Sequence, residues 1–248
     1  MSTILITGCS SGFGLETARY FADRGWEVVA TMRSPRDDAL FASERVRIVP
    51  LDVTDPASIA AAIEAAGPID ALVNNAGIGF LNAVEGTPME AVRDIFETNT
   101  LGTIAMTQAV LPQMRQRRAG VIVNVTSSVT LRSLPLLSVY TASKAAVNAF
   151  TDSVALELAQ FGIRVRVVLP GRAPNTRFGD NARARMTSGF PEPYGELVQA
   201  VFAGWEEDAG PITSASDVAE AVWQAVVDDA SPAHIPAGAD AVAWAQER

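Results

Sequence analysis

The chain has 248 residues, of which 48% are hydrophobic and 19% charged. That suits a folded unit with a sizeable core and excludes a disordered chain. A formal net charge of −9 leaves no basic face for phosphates and excludes a nucleic-acid partner, while one cysteine (Cys9) and one histidine (His234) exclude both an intrachain disulfide and a zinc ligand set. The elements then follow in order. Thr3–Thr7 (TILIT) is a short apolar strand, and Leu15–Arg24 is a helix that ends before Gly25. Glu27–Met32, Val46–Leu51, Ile69–Val73, Val121–Val125 and Ile163–Leu169 are five further strands. Helical stretches run over Pro56–Ala66, Met89–Arg117 and Ser138–Gln160. Strands separated by helix-length segments pair in parallel through crossovers, and parallel sheets carry helices on both faces.

The expected fold is therefore α/β: a single-domain, doubly wound parallel sheet of the Rossmann type across residues 1–248. Such a sheet binds ligands beyond the carboxyl ends of its strands. No stretch approaches the ~18 apolar residues of a membrane span, and the opening MSTILITG has no basic segment before an apolar core. A cytoplasmic protein without a membrane partner is expected.

The first strand runs into Thr7-Gly8-Cys9-Ser10-Ser11-Gly12-Phe13-Gly14 and then a helix. Glycines there allow a tight turn and close approach to a phosphate, and the helix N-terminus offers free N–H groups. Asn74-Asn75-Ala76-Gly77 ends the fourth strand, and Asn99-Thr100-Leu101-Gly102 lies within the long helical stretch. Ser127 follows the fifth strand, Tyr140-Thr141-Ala142-Ser143-Lys144 opens the next helix, and Pro170-Gly171 follows the sixth strand. In this order and at these spacings, the motifs resemble the short-chain dehydrogenase/reductase family, in its compact branch. Residues Met1–Arg33 particularly resemble its steroid- and retinol-type dehydrogenases. The resemblance implies an oxidoreductase that moves a hydride between a nicotinamide and a carbonyl or secondary alcohol. A sensor or scaffold on the same fold, binding NADP without turnover, is the alternative; it would have no need of Ser127, Tyr140, Lys144 and Asn99 together.

Tyr140 and Lys144 are four apart on a helix and share a face. An ammonium near a phenol favours the phenolate, so Lys144 is expected to lower the tyrosine's pKa from about 10 and make Tyr140 the general acid/base. Lys144 is the only lysine beside eighteen arginines, and an ammonium is a compact charge with a tunable pKa, which a guanidinium is not. Ser127 or Ser128 is to bond the substrate oxygen, and the family's spacing to the tyrosine, with Asn124 three residues earlier, favours Ser127. The resemblance further implies that Lys144 holds the nicotinamide ribose and that Asn99 holds a water in a proton relay. The cofactor residues it implies are Gly8, Ser10, Ser11, Gly12, Phe13, Gly14, Arg33, Asp52, Val53, Asn75, Ala76, Gly77, Tyr140, Lys144, Pro170 and Gly171, with Asp52-Val53 at the adenine.

The second strand ends Ala30-Thr31-Met32-Arg33 without the acid that takes the ribose 2′-hydroxyl of NAD. Arg33, helped by Ser10, suits a 2′-phosphate, which favours NADP (NADPH) over NAD. After Pro170-Gly171, Thr176 comes one residue later than the family's commonest spacing and is left without a role. Residues 175–212 are expected to form a substrate flap. Within it Tyr194, Leu197, Val198, Val201, Phe202 and Trp205 recur at helical spacing. That stripe suits an apolar pocket wall or a helix packed on the core, and with Ile78-Gly79-Phe80-Leu81 it points to an apolar small-molecule carbonyl or alcohol. The family's usual assembly is a homodimer or homotetramer.

Overall fold

Short apolar runs that bury both of their faces form the centre of the molecule. A computed structural model describes residues 2–35, 43–185 and 189–247. Its strands are β1 (Thr3–Ile6), β2 (Glu27–Met32), β3 (Val46–Pro50), β4 (Ala71–Asn74), β5 (Gly120–Val125), β6 (Ile163–Pro170) and β7 (His234–Ala237). They make one sheet in the order β3-β2-β1-β4-β5-β6-β7, with every pair parallel. This is the expected Rossmann-type sheet, extended at one edge by a seventh strand absent from the sequence reading.

Side chains alternate across each strand, and both faces are apolar because both are covered. Ile4 and Ile6 of β1 join one buried cluster with Phe21 of α1 (Gly12–Ala22) and Val222 of α8 (Ala215–Val227). Leu5 joins the opposite cluster with Ile59 of α2 (Pro56–Ala66), Val110 of α4 (Gly102–Arg117) and Val154 of α5 (Ser138–Leu158). The stretch expected as one helix over Met89–Arg117 is interrupted. Helix α3 (Met89–Phe96) passes into a wide π-turn at Glu97–Leu101 before α4 begins. Such turns mark places where a helix gives up regularity to aim a group, and Asn99 stands in this one.

Beyond β6 come α6 (Phe178–Ala184), α7 (Gly195–Glu207), α8, β7 and α9 (Ala239–Gln246). Of the expected flap, residues 186–188 lie outside the described residues. The apolar stripe falls on α7 and the turn before it. Tyr194, Val198, Val201, Phe202 and Trp205 pack against Leu81, Ala83 and Leu136 in a small satellite cluster, whereas Leu197 is exposed. Strand order reverses between β1 and β4, so the carboxyl ends of β1, β4, β5 and β6 open on one edge.

Candidate active site

The glycine loop is shaped by close backbone contact. A Cβ on Gly14 would overlap the Gly8 carbonyl oxygen, and one on Gly8 would sit 2.9 Å from the Ala76 Cα. Asn75 braces this loop: its Nδ2 donates to the Thr7 and Gly8 carbonyls at 2.8 and 3.2 Å. The Thr7 hydroxyl accepts from the N–H groups of Asn75 and Ala76, both at 2.9 Å. Helix α1 starts inside the loop, three residues earlier than the sequence suggested. Its N-cap, Ser11, makes no side-chain cap bond, and its first turn carries no acid. Phe13 packs on the core while Ser10 is exposed. Thr176 touches Gly12, 3.6 Å from the position a Cβ would take. The late Thr176 therefore sits against the glycine loop.

At the end of β2, Arg33 is exposed and makes no hydrogen bond among the described residues. The Asp52 carboxyl is held below its usual range, chiefly by the Thr54 N–H, with the Arg33 charge adding to the effect. Val53 is buried, and its side chain lies so close to Gly102 that a Cβ there would come within 2.8 Å.

On α5 the buried face carries Tyr140, Ser143, Lys144 and Val147, the spacing of one helical stripe. Tyr140 is 7% exposed, and Ser127, the N-cap of the short turn Ser128–Thr130 after β5, is near enough to its phenol to favour the ionised form, while Ser127 Oγ accepts from the Val129 N–H at 3.3 Å. Of the two serines, Ser127 is the one whose influence reaches the tyrosine. Lys144 Nζ donates to the Val125 carbonyl at 3.0 Å. Gly77 lies over Lys144 and Asn99, since a Cβ on it would come 3.3 Å from Lys144 Nζ and 3.2 Å from Asn99 Oδ1. The Asn99 amide grips the neighbouring loop: Oδ1 accepts from the Ile78 N–H at 2.8 Å, and Nδ2 donates to the Ile78 carbonyl at 2.9 Å and to Ser143 Oγ at 3.1 Å. The π-turn thereby ties the segment after β4 to α5.

One expectation is corrected. Burial pushes the Tyr140 phenol up to about 12, against a smaller opposing effect of Ser127, and pulls the Lys144 ammonium down to about 8. The lysine's contact is the Val125 carbonyl, so desolvation and not the ammonium sets the tyrosine's state. Cys9 is also fully buried, and burial raises its thiol to about 12, the state of an inert packing residue.

Pro170 and Gly171 end β6 in a turn that residues from the C-terminal part enclose. The Gly171 N–H donates to Thr213 Oγ1 at 3.0 Å, and the Arg172 N–H donates to Asp240 Oδ2 at 2.5 Å. Thr213 and Asp240 lie in segments the sequence reading left unassigned. Next to Tyr140 is a cavity of about 160 Å³ whose walls include Phe80, Leu81, Phe178, Phe202 and Trp205. Among the described residues, no group of three or more metal-ligating side chains occurs, and no helix is long and apolar enough to cross a membrane.

A family model described as short chain dehydrogenase matches residues 2–186. The chain is 39% identical over 197 residues to the 3-ketodihydrosphingosine reductase of Bacteroides thetaiotaomicron, covering 78% of this chain and 71% of that protein. It is 37% identical over 203 residues to retinol dehydrogenase 8 of Bos taurus, covering 76% and 64%. Among solved structures, a short-chain dehydrogenase from Streptomyces avermitilis superposes with a TM-score of 0.85 at 34% identity over 99% of this chain and 91% of that one. A short chain dehydrogenase from Burkholderia cenocepacia, solved in complex with NADP, gives 0.79 at 27% identity over 99% and 91%.

Proposed function

This chain belongs to the short chain dehydrogenase family and is an oxidoreductase, and from that premise we propose that it uses NADP(H) to interconvert a carbonyl and a secondary alcohol on an apolar small molecule. The observation that carries the reading is the buried Tyr140: it lies within the influence of Ser127, lines an apolar cavity, and stands one helical turn from Lys144.

The residues fit a dinucleotide. Gly8 and Gly14 leave a cradle that side chains would fill, and α1 presents uncapped N–H groups to it. Ser10, Ser11, Gly12 and Phe13 would follow the phosphates, Asp52 and Val53 the adenine, and Asn75, Ala76, Gly77, Pro170 and Gly171 the nicotinamide half. NADP is favoured over NAD because Arg33 is exposed and makes no hydrogen bond among the described residues, and because β2 ends Ala30-Thr31-Met32-Arg33 without an acid. A neighbour of the same fold was solved with NADP. Bound there, the reduced nicotinamide supplies a hydride for the carbonyl carbon.

The chain's own residues handle the proton. In reduction the Tyr140 hydroxyl donates to the substrate oxygen, and in oxidation it takes the hydroxyl proton back. A raised pKa keeps Tyr140 protonated at neutral pH, the form that reduction needs. Ser127 holds the same oxygen, Lys144 holds the ribose, and Asn99 fixes the loop that carries Gly77. Residues 1–248 act as one catalytic unit with 175–212 as its flap, in the cytoplasm. The assembly is a homodimer or homotetramer through α4 and α5, which would cover Leu156, 82% exposed on α5.

Tyr140→Phe tests the reading. The variant keeps the ring and loses only the transferable proton, so kcat should fall by ~10²–10⁴-fold while NADPH affinity stays unchanged. Steady-state kinetics beside a fluorescence titration with NADPH check both. A variant that keeps most of its kcat overturns the assignment.

A further inference from the structure

Aromatic residues are scarce in this chain, at 7%, yet five of them converge on one small space. Phe80, Tyr140, Phe178, Phe202 and Trp205 all line the cavity at the proposed proton donor. Among the described residues its ionisable lining side chains are Tyr140 and Arg183, and Arg183 is exposed and paired with Asp180 at 3.4 Å. The rings already sit in the tilted and edge-on arrangements that aromatic pairs favour. Phe178 lies 5.6 Å from Tyr140 between ring centroids at 55°, and Phe202 lies 5.5 Å from Trp205 at 79°.

Size decides what fits. A cavity of roughly 150 Å³ holds one benzene ring, and this one measures about 160 Å³. The space beside Tyr140 matches a single six-membered ring. A ring seated there places a carbonyl carbon attached directly to it next to Tyr140. Gly79 sets the position of the roof, because a Cβ there would come 2.7 Å from Phe178 Cζ.

We propose that Phe178, seated on Gly79, is a specificity-determining residue that contacts the substrate. The site then takes aryl ketones, or the matching benzylic alcohols, whose reacting carbon is attached directly to an aromatic ring. The proposal rests on the reading that Tyr140 serves a substrate carbonyl. It adds a preference for a flat π-face over a saturated ring of equal size, which apolar burial alone would not give.

Acetophenone and cyclohexyl methyl ketone form the matched test pair. Calorimetric titration of each into the protein saturated with NADP⁺ reads binding without turnover, and kcat/KM with NADPH reads catalysis. Acetophenone should bind about tenfold more tightly, the gain expected from one or two well-oriented ring contacts. Phe178→Leu should bring the two ketones to within about twofold of each other, mainly by weakening acetophenone. Gly79→Ala, which displaces Phe178, should do the same. Phe178 is 40% exposed, so the leucine variant should melt near the wild type. Equal affinities in the wild type, or a Phe178→Leu loss shared by both ketones, overturn the proposal. Preferential binding of acetophenone without turnover would sink the reductase reading and leave this assignment standing. Turnover of both ketones without preference would do the reverse.

Discussion

Lys144 is buried to 5% exposure, and burial has lowered its pKa from 10.5 to about 8. An ammonium at that depth costs stability, and its folded-state pKa lies below the unfolded value. Between about pH 8 and 10.5 the unfolded chain holds the extra proton, so stability should rise with pH across that window. Below about 8 the penalty is present in full, on the order of 3 kcal/mol. Lys144→Met should flatten that rise, which urea unfolding at pH 7.5 and 10, read by fluorescence, would detect. A rise of equal slope in both proteins would mean that Lys144 is not the group concerned. Lys144→Arg differs from an exposed charge swap. A guanidinium is broader and stays charged, and Gly77 stands 3.3 Å from the ammonium when measured from a Cβ position. The arginine variant should lose both stability and kcat. An arginine enzyme as active and as stable as the wild type would remove Lys144 from the proposed mechanism.

At the scale of elements, the glycine loop makes a sharper statement than its spacing does. Gly14 has no room: a Cβ would meet the Gly8 carbonyl and the Asn75 amide together. Gly12 has room, with Thr176 at 3.6 Å, and its constraint is a φ of +58°. Gly14→Ala should cost about 3 kcal/mol through overpacking and abolish NADPH binding. Gly12→Ala should cost about 1 kcal/mol through its left-handed backbone and weaken binding only in part. Thermal melts and NADPH titrations of the two variants would separate them, and a Gly14→Ala protein that binds like the wild type would refute the cradle. Much of this architecture is legible in the sequence. The six predicted strands are present within one or two residues, because each is a short β-rich run closed by polar or glycine positions. The glycine loop, Asn75, Ser127 and Gly171 meet on one edge because each follows a strand of the same parallel sheet, and Asn99, Tyr140 and Lys144 reach it from the π-turn and α5. Other features had weaker signals. The π-turn at Glu97–Leu101 adds one residue to a turn, which a periodicity of apolar residues cannot register. Strand β7 is four residues long and reads HIPA, with a proline at the sheet edge. Helix α8 did carry a signal, since Ser214 and Asp217 form a capping box before an apolar stripe. The pKa direction of Tyr140 was not legible, because it depends on how far the phenol is buried and on where the lysine's nitrogen points.

At the scale of the whole molecule, the chain beyond residue 186 is part of the site, although the family match ends there. Three separate segments converge on the turn Pro170-Gly171-Arg172. The Arg172 guanidinium donates to the Trp205 carbonyl at 3.3 Å and the Asp208 carbonyl at 3.0 Å, which fixes the end of α7. The Arg172 carbonyl accepts from the Thr213 N–H at 2.7 Å. Asp240, on the first turn of α9, receives the Arg172 N–H through Oδ2 and the Thr213 hydroxyl through Oδ1. Asp240 also lies so close to Gly171 that no side chain fits between them. The wall carrying Trp205 and the turn proposed to face the nicotinamide are therefore held by the same buried carboxylate. Asp240→Ala would leave the half-buried Arg172 N–H without its partner, while the Thr213 hydroxyl keeps the Ala237 carbonyl at 2.9 Å, and a lost partner of this kind costs about 1–3 kcal/mol. Loosening the turn should also raise KM for NADPH more than it lowers kcat, because Tyr140 and Ser127 stand on other elements. Asp240→Asn keeps the volume and one acceptor oxygen, so it should recover most of the stability and part of the affinity. Urea unfolding and NADPH titration of both variants would read this. If alanine left stability and affinity at wild-type values, the C-terminal segment would be a cover over the sheet edge with no part in holding the cofactor turn.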